Sequence, residues 1–196
     1  MIHPSTELRF IDPAIGYGVF ATERIPLGTI VWTLDCLDRV MAPADIARLP
    51  APAREVVDRY TFVSAAGDRV LCWDHAKFVN HSCRANCLSP GLVDLEIAVR
   101  DIEAGEELTD DYGSLNLECA LCCACGWPEC RETIGPGDFD RLTDLWDGRL
   151  RRAIAFVGKV EQPLWDWLPD AELLHIAASN PDQMASIRNH AYRQIA

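Results

Sequence analysis

The sequence has no excess of basic residues. Its 18 Lys and Arg stand against 30 Asp and Glu, which gives a formal net charge of -12. A protein that grips nucleic acid through its phosphates needs a basic face, so direct nucleic-acid binding is not expected. An acidic balance suits a positively charged partner such as a lysine-rich protein segment, although acidity also serves solubility alone.

Long apolar runs are missing too. No stretch approaches the roughly 20 residues that cross a bilayer, and residues 1–5 lack the basic and apolar segments of a secretory signal. We therefore expect no membrane partner and a cytoplasmic protein, with nuclear action or another route of secretion left open. The 196 residues, which contain no internal repeat, are enough for one sizeable core or a core with a small appendage.

Cysteine, by contrast, is abundant. The chain has nine, of which five lie within residues 119–130 and two more are Cys83 and Cys87. An odd count without a secretory signal argues against a disulfide framework, and the short spacers favour a metal site. A disulfide oxidoreductase is a weaker alternative, because no Cys-x-x-Cys opens a helix in a βαβ setting.

The metal prediction centres on Cys123, Cys125 and Cys130, which have the spacing Cys-x-Cys-x4-Cys. Three thiolates this close can reach one ion, and a tetrahedral sulfur set favours zinc. The fourth ligand is left open by spacing alone. Its candidates are Cys119, Cys122, Cys83, Cys87 and His75.

Many short strands are predicted within the first 117 residues. The β-rich or alternating runs are 8–11, 19–21, 29–34, 60–63, 69–73, 92–99 and 107–109. Residues 43–59 have helical character interrupted by Pro50 and Pro52. Gly16 and Gly18 would let the backbone approach a ligand or another strand closely.

The last third is predicted to be helical. Residues 140–156 place an apolar stripe on one face, made of Leu142, Leu145, Trp146, Leu150 and Ile154. Asp170 would cap a second helix and Asn180-Pro181 would start a third. The loop 134–137 is the best boundary, so we divide the chain into 1–117, 118–136 and 137–196. The helices could cover a groove, form a homodimer or complete the core.

The run Lys77–Cys87 follows neither the helical nor the strand period. It holds two amides, an imidazole and two thiols. Such a run is expected to take its conformation from tertiary contacts, a ligand or a metal.

Four motifs together resemble SET-domain protein-lysine methyltransferases with a post-SET zinc segment. They are Gly16–Ala21, Asn80–Cys83, Gly105–Tyr112 and the Cys-x-Cys-Gly-x3-Cys-Arg of 123–131, in that order. The resemblance covers about residues 8–134. It implies a mainly β fold with some α, of the SET or β-clip type, in which short curved sheets surround a knot-like crossing. In that crossing the stretch 80–83 and the stretch ending at Tyr112 thread past each other.

The resemblance also implies a site. The cofactor would be S-adenosylmethionine, the substrate a basic, histone-like protein or peptide carrying the target lysine, and Tyr112 the catalytic residue. The residues implied to lie at the cofactor are Gly16, Tyr17, Gly18, Tyr60, Asn80, His81 and Tyr112. The implied zinc ligands are Cys83, Cys123, Cys125 and Cys130.

Some positions depart from the family pattern. Asp110 stands where the family often has Phe or Tyr in the lysine channel, so the number of methyl groups added is left open and the carboxylate could attract the lysine ammonium. Glu132 stands where a glycine often follows the last Cys-Arg. Acidic residues near these positions could form a rim for a basic substrate. They are Glu106, Glu107, Asp110, Asp111 and Glu118.

The chemistry expected of such a site is in-line methyl transfer, in which the protein mainly aligns donor and acceptor. The lysine amine, with a reference pKa of ~10.4, must lose its proton, and an apolar channel and the sulfonium charge would lower that pKa. A tyrosine hydroxyl can orient the amine. The alternative is a non-catalytic zinc-containing interaction module with a degenerate pocket, and the joint presence of Asn80, His81 and Tyr112 favours the enzyme.

Overall fold

The computed structural model describes residues 1–92 and 94–192. The strands in this part of the chain are β1 (Thr6–Asp12), β2 (Gly16–Ala21), β3 (Ile30–Thr33), β4 (Arg39–Met41), β5 (Thr61–Val63), β6 (Arg69–Leu71), β7 (Asn80–His81), β8 (Cys87–Leu88), β9 (Leu95–Ala98), β10 (Glu107–Asp110), β11 (Leu121–Cys122) and β12 (Thr133–Ile134). The α-helices are α1 (Pro43–Ile46), α2 (Ala51–Tyr60), α3 (Asp138–Ile154) and α4 (Ala171–Ser179).

Strand β10 organises the largest sheet. The strand order is β1-β2-β10-β8-β9-β3, and β7 also pairs with β10. Both β7 and β8 run parallel to β10, whereas β2 is antiparallel to it. Short parallel partners from one loop segment therefore meet the strand that leads to Tyr112, which confirms the predicted mainly β fold with a crossing of distant stretches.

Two smaller sheets flank the large one. Strands β4, β6 and β5 form an antiparallel sheet, and β11 and β12 form a hairpin that carries the cysteine cluster. None of the helices in the described ranges is long and apolar enough to cross a membrane.

Helix α3 completes the main core. Its Trp146, Leu150 and Ile154 are fully buried against sheet residues such as Leu88 and Ile97. The amphipathic pattern therefore buries its stripe on the sheet of the same chain. Of the three roles left open for the C-terminal helices, core completion is the one that the packing of α3 supports. The proposed domain limits and the homodimer stay predictions.

Several local predictions were wrong. Tyr60 is the last residue of α2 and not part of a strand. Leu145, placed on the buried stripe, is 57% exposed. Asn180-Pro181 begins only a 3-10 turn, Pro181–Gln183, without a side-chain cap. The strand expected at 92–99 begins at Leu95, and Val93 of that prediction lies outside the described residues. Asp170 does cap α4, through Leu173 N.

Candidate active site

The crossing brings Tyr112 beside the segment 79–81. Thr109 and Asp110 of β10 pair with Asn80 and His81 of β7. The Tyr112 hydroxyl donates to Val79 O at 2.7 Å, and the Tyr112 backbone N–H donates to His81 Nδ1 at 3.1 Å. Because the Nδ1 atom accepts, the imidazole is neutral, in agreement with burial lowering its pKa. Residues separated by 31 positions in sequence thus share one hydrogen-bond network.

Asn80 joins the crossing to the glycine loop. Its Nδ2 donates to Tyr17 O at 3.0 Å and to Glu107 Oε1 at 2.8 Å. A Cβ on Gly18 would clash with Glu107 Oε1 and lie 3.1 Å from Asn80 Nδ2. The close approach predicted at Gly18 is therefore made to neighbouring side chains of the protein. Gly16 has φ +88°, a conformation that suits glycine.

Aromatic rings continue from this loop towards α2. The ring of Tyr17, which is 47% exposed, lies 5.8 Å from Phe78, and Phe78 lies 5.4 Å from Tyr60. Phe78 thus links two tyrosines that the resemblance assigned to the cofactor. Sequence reasoning missed Phe78, whose only signal was its position two residues before Asn80.

A cavity of about 410 Å³ opens next to these rings. Its rim includes the exposed side chains of Asp58 and Glu118. Its deep end includes Trp32, Cys87 and Asp110, which are buried. Tyr60 and Tyr112 line this cavity, as do Val79, Phe62 and Leu108. The other predicted cofactor residues, Gly16, Tyr17, Gly18, Asn80 and His81, lie outside its lining.

The predicted site residues therefore fall into two groups. One group surrounds the glycine loop and the other lines the cavity, and the Val79–Tyr112 hydrogen bond lies between the two stretches. The structure brings all of them to one region of the molecule. Their roles in binding and catalysis stay predictions.

Two titratable groups of the cavity are strongly perturbed. Burial, with a contribution from Asp111, raises the pKa of Asp110 to about 7. Burial also raises the pKa of Tyr112, so its phenol is neutral at ordinary pH. Tyr112 can therefore accept or donate hydrogen bonds but is poorly suited to remove a proton.

Asp111, the next residue along, has a full set of partners. It is 3% exposed. Its Oδ1 accepts from Gly113 N at 3.1 Å and from Arg131 Nη2 at 2.5 Å, and its Oδ2 accepts from Trp146 Nε1 at 3.1 Å. This carboxylate ties the Tyr112 turn to the cysteine hairpin and to α3. In the sequence, Arg131 stands out only by its place in the cysteine motif, directly after Cys130.

Four thiols form a compact cluster. The Sγ atoms of Cys83, Cys123, Cys125 and Cys130 all lie within 4.8 Å of one another, and Cys83 Sγ is 3.7 Å from Cys123 Sγ. A tetrahedral zinc ion with Zn–S bonds of ~2.3 Å requires sulfur atoms about 3.8 Å apart. The cluster could therefore bind zinc with four sulfur ligands.

The other candidates for the fourth ligand lie elsewhere. Cys119 and Cys122 are exposed, Cys87 is buried beside Asp110, and His75 hydrogen-bonds to Thr6. Arg131 holds Cys83 from two sides, since its backbone N and its Nε each donate to Cys83 Sγ at 3.4 Å. Such donors stabilise a thiolate, so the residues present fit a metal site.

Glu132 explains one departure from the family pattern. It has φ +61°, a region that favours glycine, and its backbone N donates to Cys130 Sγ at 3.3 Å. Glu132 therefore adopts the backbone conformation that a glycine would favour at this turn.

The expected acidic rim was wrong. Asp110 and Asp111 are 4% and 3% exposed. The other three residues of that set have polar partners: Glu106 pairs with Arg100, Glu107 with Asn80 and Glu118 with Arg69. Only Glu118 of the set lies exposed at the cavity, where Asp58 joins it.

Comparison with known proteins identifies the family of this chain. The family model of the SET domain matches residues 16–113, which are 98 of the 196 residues. The chain belongs to the SET-domain family. The match ends one residue after Tyr112, so the SET-family region contains the crossing and the glycine loop, while Cys123–Cys130 and the C-terminal helices lie beyond it.

The curated relatives of this SET chain are much longer proteins. Histone-lysine N-methyltransferase ash1 of Drosophila melanogaster is 43% identical over 156 residues, covering 74% of this chain and 7% of the relative. Histone-lysine N-methyltransferase TRX1 of Oryza sativa subsp. japonica is 40% identical over 139 residues, covering 61% of this chain and 13% of the relative. The chain thus spans only a small part of each.

Solved structures of similar proteins include the methyltransferase domain of human histone-lysine N-methyltransferase SETMAR. It has a TM-score of 0.48 at 18% identity and covers 68% of this chain and 58% of that one. KRYPTONITE in complex with mCHG DNA and SAH has a TM-score of 0.45 at 25% identity, with 65% and 28% covered.

Proposed function

We propose that this SET-domain chain is an S-adenosylmethionine-dependent protein-lysine N-methyltransferase that acts on basic, histone-like proteins. Its family membership and its histone-lysine methyltransferase relatives support the reaction class. The acidic net charge of -12 favours a basic substrate.

The observation that carries the proposal is the position of Tyr112. Its side chain lines the cavity while its hydroxyl donates to Val79 O at 2.7 Å. With that proton already engaged, the phenol oxygen can accept a hydrogen bond from an amine in the cavity. A fixed acceptor of this kind orients a lysine nitrogen for in-line attack.

The cofactor would lie on the side of the crossing formed by the glycine loop. When bound, it would supply an activated methyl group on a sulfonium sulfur. The exposed Tyr17 ring next to Phe78, together with Asn80 and the backbone of His81, would hold it. The substrate lysine would enter from the cavity mouth, where Asp58 and Glu118 are exposed.

The cysteine hairpin would close one wall of this channel. Leu121 and Cys119 line the cavity, and Leu121 belongs to β11, which leads into Cys123. Zinc bound to the four thiols would therefore fix the position of that wall, because structural zinc sites couple metal binding to local folding.

The test is methyl transfer from radiolabelled S-adenosylmethionine to a mixture of the four core histones. We expect label on the histones, lost by at least two orders of magnitude in Tyr112→Phe, since one orienting contact of this kind contributes about that much. Tyr192→Phe is the matched control, because the Tyr192 ring packs on Gly67 and is not part of the cavity lining.

Binding of S-adenosylhomocysteine separates the alternatives. An interaction module with a degenerate pocket would neither bind it nor transfer label. A disulfide oxidoreductase would show thiol exchange that zinc chelation leaves unchanged. Either result contradicts the proposal, whereas retained binding in Tyr112→Phe with lost transfer supports it. Location in the cell and dimerisation stay predictions.

A further inference from the structure

Two carboxyl groups meet at the deep end of the cavity. Asp110 lies on β10 opposite Cys87 of β8, and Cys87 lies opposite Ala98 of β9. Glu96 is two residues before Ala98 on the same strand, so its side chain is on the same face of the sheet. Both acidic side chains line the cavity, and their carboxyl groups are within hydrogen-bonding reach of each other.

These carboxyl groups are short of partners. Glu96 Oε2 is fully buried and has no hydrogen-bond partner in the part of the chain that the structure describes. The Asp110 carboxyl accepts one hydrogen bond from the described residues, from Asp111 N at 2.6 Å. Two carboxyl groups can bond to each other only if one carries a proton, so the pair holds at most one negative charge when that bond is made.

The neighbouring cations are already engaged. Arg100 Nη2 pairs with Glu106 at 2.5 Å, although its buried Nε has no partner among the described residues, and Arg149 donates to Ala85 O. A buried charge without a partner is costly, and the cost disappears when a cation with N–H donors enters. The open side of the Glu96–Asp110 pair is the cavity, so a cation that pairs with the ionised form would come from a ligand.

We propose that Glu96 and Asp110 form a seat for the ammonium group of the target lysine, with its N–H bonds directed at the two carboxyl groups. The inference deepens the proposed function, on which it rests for the identity of the ligand. It assigns a role to Glu96, which no sequence motif indicated.

The seat also provides a place for the proton that the lysine must lose. In this step one N–H bond of the ammonium breaks, its electron pair stays on nitrogen, and the proton bonds to the ionised oxygen of the pair. The seat then becomes neutral and the amine has a lone pair for the methyl carbon. Tyr112 is a neutral phenol and cannot take this proton.

The chemistry of the seat limits the product. Each methyl group replaces one N–H, so a dimethyl amine that has lost its proton has none left to donate. A third transfer would leave both carboxyl groups facing methyl groups without hydrogen bonds. Monomethyl and dimethyl products are therefore expected, with little trimethyl product.

The test uses n-butylammonium chloride, which imitates the end of a lysine side chain, titrated into the full chain and followed by NMR chemical shifts. We expect saturable binding that is at least tenfold weaker for n-butanol and for butyltrimethylammonium. The double variant of Glu96→Gln and Asp110→Asn should lose at least tenfold in butylammonium affinity. Glu103→Gln, an exposed acid paired with Arg24, is the control and should bind as the parent does.

Methyl transfer is measured in parallel, with mass spectrometry of the histone products. Equal binding of butylammonium and butanol by the parent chain overturns the seat even if the variants do not fold. Active methyl transfer with unchanged butylammonium affinity in the double variant also overturns it and leaves the proposed function standing. A predominantly trimethyl product would also overturn the seat and leave the proposed function standing. Selective butylammonium binding without any methyl transfer would instead refute the proposed function and keep the cation seat.

Discussion

Asp110 and Asp111 are adjacent, almost equally buried carboxyl groups with opposite surroundings. Asp111 faces the cysteine hairpin and α3, where Arg131, Trp146 and a backbone N–H satisfy it. Asp110 lines the cavity, where a second acid, Glu96, contacts it. Successive residues at the end of a strand point to opposite faces of the sheet. The protein therefore supplies hydrogen-bond donors to the Asp111 carboxyl, whereas the Asp110 carboxyl is open to a ligand in the cavity.

This contrast separates stability from function. The Asp111 side is a closed network that joins the Tyr112 turn, the hairpin and the C-terminal helix. The Asp110 side keeps an unfavourable charge arrangement, which natural proteins usually retain only where it serves binding or catalysis. Variants on the first side should therefore change folding, and variants on the second should change ligand binding.

The largest expected effect concerns metal on the closed side. We expect about one zinc per chain by elemental analysis, and Cys83→Ser should weaken zinc binding on the order of a hundredfold or more. Removing the Cys83 sulfur also removes the acceptor of two hydrogen bonds from Arg131. Cys36→Ser is the control, since Cys36 is exposed and outside the cluster. Equal zinc content in both variants would contradict the ligand assignment.

The next effect compares the two carboxylates directly. Asp111→Asn removes one of the two carboxylates that pair with the Arg131 guanidinium, the other being Asp138 at 3.4 Å, and should lower the free energy of unfolding by about 1.5–3 kcal/mol. Asp110→Asn breaks no ion pair and should leave stability unchanged or raise it at pH 8. Urea denaturation at one pH measures both. Similar losses of stability in the two variants would contradict the different roles of the two carboxyl groups.

The sequence could predict the contacts that depend on motifs in a fixed order. It predicted that Asn80 lies near Tyr112 and that Cys83 lies near the Cys-x-Cys-x4-Cys hairpin, because those motifs as a group resemble one fold. The cluster of four sulfur atoms needed that resemblance, since spacing alone left five candidates for the fourth ligand.

Other features depend on strand order and packing, which local patterns do not encode. Glu96 meets Asp110 only because β8 lies between β9 and β10. Tyr60 ends a helix, although its β-rich neighbours made a strand look reasonable, since propensity yields to tertiary context at element ends. The buried stripe of α3 is narrower than the pattern suggested, so Leu145 faces solvent.

A smaller effect tests how far the closed network extends past Tyr112. Asn116 donates through Nδ2 to Val63 O at 3.0 Å and His190 O at 3.1 Å, and accepts from Tyr192 N at 2.8 Å. Asn116→Ala leaves these partly buried groups unpaired and should cost about 1–3 kcal/mol. It should also loosen the cavity wall that Asn116 helps to line, seen as faster hydrogen exchange around residues 115–118. Unchanged hydrogen exchange around residues 115–118 would mean that the hydrogen-bond network of Asp111 does not extend to Asn116.

The smallest expected effect is a difference in pH dependence. The folded-state pKa of Asp110, about 7, is above the usual carboxyl value, so between pH 4 and 7 the folded chain binds more protons at this group than the unfolded chain. Its contribution to stability is therefore complete at low pH and is lost as the pH rises through 7. Glu96, whose pKa burial also raises, acts in the same direction.

Asp110→Asn removes the contribution of that residue, so its stability relative to the parent should rise from pH 5 to pH 8 by on the order of 1 kcal/mol. Denaturation midpoints of the variant and the parent at both pH values measure the difference. If the stabilities of Asp110→Asn and the parent respond to pH in parallel, Asp110 is charged over the whole range. A carboxylate that stays charged there would need a permanent cation partner within the protein, which contradicts a seat that is open to a ligand.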